Sequence, residues 1–171
     1  MPDFTRRELE PTVIAISDML RATAPVHCII GGVAVMHYAR RASTADVDFL
    51  VAWKDGERDA LIALAERRGW TVEHRSDWQL RLFGPDTYAD VVSAQVPLEV
   101  EAAALASEVR TDMGVVRVAP LEHLVALKAV AGRSRDLWDL AMLYEMHPDL
   151  DVDRINRWIE PFDVKWEPER P

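Results

Sequence analysis

Ile29-Ile-Gly-Gly-Val-Ala-Val-Met-His-Tyr-Ala-Arg-Arg-Ala-Ser-Thr-Ala-Asp-Val-Asp-Phe-Leu-Val51 is the stretch on which the reading of this chain turns. It opens within an apolar, β-branched run from Val26 to Ile30, passes through Gly31-Gly32 and continues from Val33 to Arg40 with helical composition and no breaker. The order is strand, tight turn, helix. Glycine is favoured where the backbone takes a positive φ or comes close to a ligand, and the unpaired N–H groups of a first helical turn suit phosphate oxygens. Gly31 and Gly32 are therefore candidate phosphate-side residues, and a triphosphate fits there.

After the helix come Arg40, Arg41, Ser43 and Thr44, a basic and hydroxyl cluster, and then Asp46-Val-Asp48. Alternate residues of a strand project from one face, so Asp46 and Asp48 stand on the same side, roughly 7 Å apart at Cα. Two such carboxylates can share a divalent ion. Magnesium keeps several waters and usually sits between one or two protein carboxylates and substrate phosphates. Each signal alone is weak, since Gly-Gly is a common turn and Asp-x-Asp is often a solvated stripe; the ordered combination is what points to phosphate and metal chemistry.

Phosphoryl chemistry on two metal ions calls for further negative charge. Asp90, in the strand-like Thr87-Tyr-Ala-Asp-Val-Val-Ser93, is the best third acid, because its face also carries Tyr88 and Val92. Asp86 follows Gly84-Pro85 and reads as a turn residue. Further on, Leu121, Leu124 and Val125 form a helical stripe behind Pro120, and Lys128 continues it. Either Lys128 snorkels from the core edge, or its ammonium faces the acidic cleft and holds a nucleotide phosphate. Gly132 breaks that helix, Ser134 can cap a second, and Arg133, Arg135, Asp136 and Asp139 crowd the junction.

Together, Gly31-Gly32, Asp46-x-Asp48, Asp90 and Lys128-x4-Arg133-x-Arg135-Asp136-x2-Asp139 resemble the nucleotidyltransferase superfamily with the DNA polymerase β-like fold. The likeness is greatest to the small bacterial branch that includes AbiEii-type toxins, and it runs from about Val26 to Tyr144. The resemblance implies a mixed sheet flanked by helices, with Mg2+ or Mn2+ carried by Asp46, Asp48 and Asp90. It implies that Asp90 helps activate the acceptor hydroxyl and that Gly31, Gly32, Ser43, Thr44, Lys128 and Arg133 contact the nucleoside triphosphate. Such enzymes move a nucleoside monophosphate to an acceptor and release pyrophosphate; the acceptor here is open among RNA, tRNA included, protein and small molecule, and an antitoxin partner is implied by the toxin branch. Three features depart from the pattern. Val33 stands where Ser or Thr is usual, Arg135 replaces a Lys, and the chain is short for a full toxin.

The 171 residues are 49% hydrophobic and carry a net charge of -9, a composition suited to one globular domain. That charge argues against a broad nucleic-acid surface, though not against a local rim of Arg40, Arg41, Lys128, Arg133 and Arg135. No run reaches the ~18 apolar residues of a spanning helix, the N-terminus lacks a secretory pattern, and one cysteine, Cys28, suits a reducing cytoplasm as a small core residue. The five histidines show no zinc spacing and receive no role.

Periodicity predicts helices at 6–22, 32–40, 56–68, 98–106, 120–131, 134–146 and 151–159, and strands at 26–30, 46–52, 71–75, 79–83, 88–93, 108–110 and 115–118. This is an α+β pattern: a nucleotidyltransferase core over 1–118, C-terminal helices packed on it over 119–160, and a tail over 161–171, in one compact domain. Trp166 to Pro171 is expected to fray. Two functions compete. One is a metal-dependent nucleotidyltransferase; the other is a catalytically weak or inactive nucleotide-binding or protein-interaction module of the same fold.

Overall fold

Alternation along the strands decides what each face of the sheet serves. The computed structural model describes residues 4–41, 43–85 and 87–168. Its elements are β1 (Phe4–Thr5), α1 (Arg6–Thr23), β2 (His27–Ile30), α2 (Gly31–Tyr38), β3 (Ser43–Thr44), β4 (Val47–Val51), α3 (Glu57–Arg67), β5 (Thr71–Ser76), β6 (Gln79–Phe83) and β7 (Tyr88–Ser93). There follow α4 (Pro97–Ala104), β8 (Ser107–Arg110), β9 (Val115–Val118), α5 (Leu121–Ala131), α6 (Ser134–Met146), α7 (Val152–Ile159) and a 3-10 turn, Glu160–Phe162. Seven strands form one mixed sheet in the order β5-β6-β7-β4-β2-β9-β8, with β4–β7 and β2–β9 parallel and the other pairs antiparallel. The architecture is α+β, as the sequence pattern implied.

Val47, Phe49 and Val51 of β4 are fully buried and share a face with Ile29, Val91 and Val118. Against it pack Leu9, Ile16 and Leu20 of α1 and Leu61 and Ala65 of α3, in the larger core cluster. Each side chain of this size stabilises the fold by about 1.5–3 kcal/mol when fully buried. The opposite face holds a smaller cluster in which Cys28 and Leu50 meet Ala102 and Ala103 of α4. Burial pushes the Cys28 thiol up to about 12, which leaves it an unreactive core residue. Two positions before Leu50 on β4 is Asp48, and two before Val92 on β7 is Asp90, so the acids stand at one end of this second face.

Two features depart from expectation. The short pair β1–β3 joins Phe4 to Thr44 and Thr5 to Ser43, a contact too brief for periodicity to reveal. Trp166 does not fray: it is 8% exposed, its N–H donates to Asn156 Oδ1 at 2.8 Å, its carbonyl accepts from Asn156 Nδ2 at 2.9 Å, and its ring stands edge-on to Tyr144. Asp86 and residues 169–171 lie outside the described residues. No described helix is long and apolar enough to cross a membrane.

Candidate active site

Gly31 has φ +64, in the left-handed region, and Ile30 before it is the β-ladder partner of Asp48. A Cβ at Gly31 would overlap the Asp48 carboxylate, and a Cβ at Gly32 would overlap the Thr44 hydroxyl. In this structure, then, the glycine pair makes room for an acid and a hydroxyl against the first turn of α2. Thr44, fully buried, donates a long hydrogen bond to Asp46 Oδ1 at 3.4 Å. Ser43 presents its carbonyl to Arg41 Nε at 2.8 Å.

Asp46 directly precedes β4, and Arg135 of α6 approaches its Oδ2 at 3.6 Å. Asp48 is deeper. Burial, with the carboxylates of Asp46 and Asp90 beside it, raises its pKa to about 7, while Arg135 and Lys128 act weakly in the other direction. Among the described residues no cation forms an ion pair with Asp48. Asp90 is level with Asp48 on the parallel neighbour strand. Both its oxygens accept from Arg81: Oδ1 from Nε and Oδ2 from Nη2, each at 2.8 Å.

Lys128 lies under the junction of α5 and α6, only 4% exposed, with its ammonium 2.7 Å from both Asp136 Oδ1 and Asp139 Oδ2. Neither sequence reading anticipated this: the amine neither reaches water nor stands free in the cleft. Burial alone would raise the pKa of Asp136, but hydrogen bonds from Arg133 and Lys128 hold it below the usual carboxylate range. Arg133, at the cap position expected of Ser134, donates from Nε to Asp136 Oδ2 at 2.6 Å, and Gly132 closes α5 with φ +59. Arg41 completes the network through an ion pair to Asp139. The network thus ties α6, and Arg135 upon it, to the segment that leads into β3, where Ser43 and Thr44 lie.

The structure therefore gathers Gly31, Gly32, Thr44, Asp46, Asp48 and Asp90 at one end of the sheet, with Ser43 at its border. Lys128 and Arg133 belong to the adjoining helix junction. Val33 turns elsewhere, into a mostly apolar pocket of about 280 Å³ shared with Leu9, Val13 and Val118. Among the described residues, no three His, Cys, Asp or Glu side chains are grouped to hold one metal ion. The pair Asp46 and Asp48 nevertheless suits a hard dication. It offers oxygen donors, and the raised pKa of Asp48 marks negative charge that its surroundings leave uncompensated.

Two participants escaped sequence reasoning. Arg81 was legible in principle: a hairpin that pairs Phe83 with Tyr88 must set Arg81 opposite Asp90. Trp138, 75% exposed on α6, occupies an unspecified position of the Arg135-Asp136-x2-Asp139 motif; it lines a groove of about 290 Å³ with Arg40, Arg41, Ser43, Arg135, Asp139 and Met142.

Residues 12–168 match the family described as "Nucleotidyl transferase of unknown function (DUF2204)". Among solved structures, the chain is similar to an antigenic nucleotidyltransferase-like protein from Paracoccidioides brasiliensis, at 15% identity and TM-score 0.63, covering 86% of this chain and 78% of that one. It is similar to the antibiotic-resistance factor ANT(2'')-Ia at 18% identity and TM-score 0.58, covering 91% and 89%. The lincosamide antibiotic adenylyltransferase LnuA aligns at 16% identity and TM-score 0.57, covering 85% and 99%. At such identities these likenesses establish the shared fold. No curated protein matches the sequence.

Proposed function

This chain belongs to the DUF2204 family of nucleotidyl transferases of unknown function, and from that premise we propose that it moves a nucleoside monophosphate from a nucleoside triphosphate to an acceptor hydroxyl, with Mg2+ or Mn2+ held by Asp46 and Asp48. The observation that carries this reading is Asp48: a half-buried carboxylate beside two others, raised to about 7, with its oxygen aimed at the glycine turn. The ion, when bound, would offset charge on the triphosphate and polarise the α-phosphorus.

The chain's own groups supply position and electrostatics. Gly31 and Gly32 bring the first turn of α2 close enough for its N–H groups to meet phosphate oxygens. Thr44, fully buried, directs its hydroxyl to Asp46 and so helps to orient that carboxylate, while Arg133 and Arg135 border the site. Lys128 acts from beneath, by fixing the junction that carries both arginines. Asp90 accepts a hydrogen bond from the acceptor hydroxyl, since each carboxylate oxygen keeps a second lone pair after Arg81 has donated to it. The acceptor oxygen bonds to the α-phosphorus, the α–β bridging bond breaks, pyrophosphate leaves, and the hydroxyl proton passes through Asp90 to solvent.

For the acceptor, the groove beside Asp46 is informative. Arg40, Arg41 and Arg135 outnumber the one acid of the groove, Asp139, and so favour an anionic ligand over a polycation, while the exposed Trp138 offers a face on which a base can stack. We therefore favour a single-stranded RNA end over a cationic small molecule. Membership of an AbiEii-like branch, an antitoxin partner and a cytoplasmic setting belong to the same proposal.

The test is incubation with each labelled ribonucleoside triphosphate, Mg2+ or Mn2+, and total RNA or lysate. Labelled product and pyrophosphate that Asp48→Ala abolishes are expected; neither product under any condition would sink the proposal. A second reading, a nucleotide-binding module without turnover, is favoured by Val33 pointing into the apolar pocket. Calorimetry showing metal-dependent nucleotide binding, with no pyrophosphate from the same samples, would establish it.

A further inference from the structure

We infer that Arg81 stands in the place of a second metal ion, so that this site takes one divalent cation, on Asp46 and Asp48, and Asp90 is not a metal ligand. The inference rests on the proposed metal-dependent reading and goes beyond it. In a two-metal site the ions sit about 3.5–4 Å apart and are held by carboxylates that ligate or bridge them. Here the carboxylate that would serve the second ion is already engaged. Arg81 and Asp90 are ladder partners on β6 and β7, and the guanidinium meets both oxygens at 2.8 Å in the parallel two-bond fork that matches a carboxylate.

The fork is built and backed. The Tyr88 ring lies 4.1 Å from the guanidinium carbon, a cation–π contact that restrains Arg81 from the side. The Asp90 side chain is 8% exposed and that of Arg81 21%, so water competes little for the pair. A dication against Asp90 would have to displace Arg81 from both oxygens and then sit beside a fixed positive charge. The absence of any three-acid metal group among the described residues agrees with this: Asp90 is beside Asp48 in register, at the same end of the sheet, but the three acids are not placed to hold one ion between them. Arg81 is thus a positioning residue that also supplies one positive charge where a second ion would bring two.

Manganese binding tests this without reference to turnover. Free Mn2+ is followed by electron paramagnetic resonance while the wild-type protein is titrated, with and without α,β-methylene analogues of the four ribonucleoside triphosphates. One Mn2+ per chain is expected, unchanged by Asp90→Asn and weakened at least tenfold by Asp48→Asn. Arg81→Gln should gain a second Mn2+ that the double change Arg81→Gln with Asp90→Asn loses again. Arg81→Lys, which keeps the charge without the fork and preserves more of the packing, should stay at one. Two Mn2+ on the wild type, one of them lost in Asp90→Asn, would overturn the inference while leaving the metal reading intact. No retained Mn2+ in either the wild type or Arg81→Gln, with folding verified by circular dichroism, would overturn both.

Discussion

The Asp48 carboxylate fills the volume in which a side chain at Gly31 would stand, and Gly31 is held at φ +64 to permit it. Turn and acid are therefore one device: the backbone that opens α2 also fixes where Asp48 points. Gly31→Ala would bring a left-handed residue, at about 1–2 kcal/mol, and would push aside the end of a short side chain. The expected result is a melting temperature lower by several degrees, with activity and Mg2+ affinity falling at least tenfold because the carboxylate is what yields. Wild-type Mg2+ affinity in Gly31→Ala would show that the overlap has no bearing on the metal.

Asp48 predicts a pH dependence of stability. Its pKa in the folded protein, about 7, lies above the ordinary 3.8, so the folded state binds its proton more readily. The stability this contributes is fully present below about pH 4 and is lost as pH rises through 7. His27 works in the opposite sense: burial lowers its pKa to about 4, so its contribution is present above pH 6.5 and is lost as pH falls toward 4. Comparing Asp48→Asn with the wild type isolates the first effect. The variant should be the more stable at pH 8, by on the order of 4 kcal/mol, with the gap closing near pH 4. Thermal melts across pH 4–8 check it. Mg2+ at pH 8 should raise the melting temperature of the wild type and leave that of Asp48→Asn unmoved.

Lys128 separates a structural role from direct nucleotide contact. Asp136 is fully buried and Asp139 1% exposed, so removing the amine leaves two acids without their shared partner. Breaking a buried ion pair from one side costs about 3–5 kcal/mol. Lys128→Met should therefore unfold at markedly lower urea, and adding Asp136→Asn should recover part of the loss. Unchanged urea midpoints with a raised nucleotide KM would instead mean that the amine serves the triphosphate directly.

How much of this was legible in the sequence depends on the range of the contacts. Strands such as 79–83 and 88–93 match residue for residue because alternation is local, and Gly132 ended its helix because a left-handed cap is a local demand. The approach of Gly31, Thr44, Asp46 and Asp48 was legible because one short segment carries all four. Lys128 was misjudged because its partners, Asp136 and Asp139, lie across a helix junction whose geometry no periodicity describes, and Arg41 joins them from nearly a hundred residues away. Trp166 was misjudged for a related reason: a Pro- and Glu-rich tail signals solvent, yet one Asn156 side chain satisfies its backbone twice.

Trp138 gives the most direct test of the acceptor. At 75% exposure its removal should move stability by less than about 0.5 kcal/mol, so any kinetic effect belongs to the groove. An aromatic ring stacked on a base contributes roughly 1–3 kcal/mol, which corresponds to a rise of about 5- to 150-fold in the KM for an RNA acceptor in Trp138→Ala, with the KM for nucleotide unchanged. Arg40→Ala, on the same rim, should also weaken the RNA acceptor and flatten the dependence of that KM on salt, since one phosphate contact fewer releases fewer counterions. Trp138→Phe should retain most of the wild-type KM. If Trp138→Ala left the KM for every RNA acceptor unchanged, the groove would lose its assignment, and an acceptor without bases would become the better reading of this site.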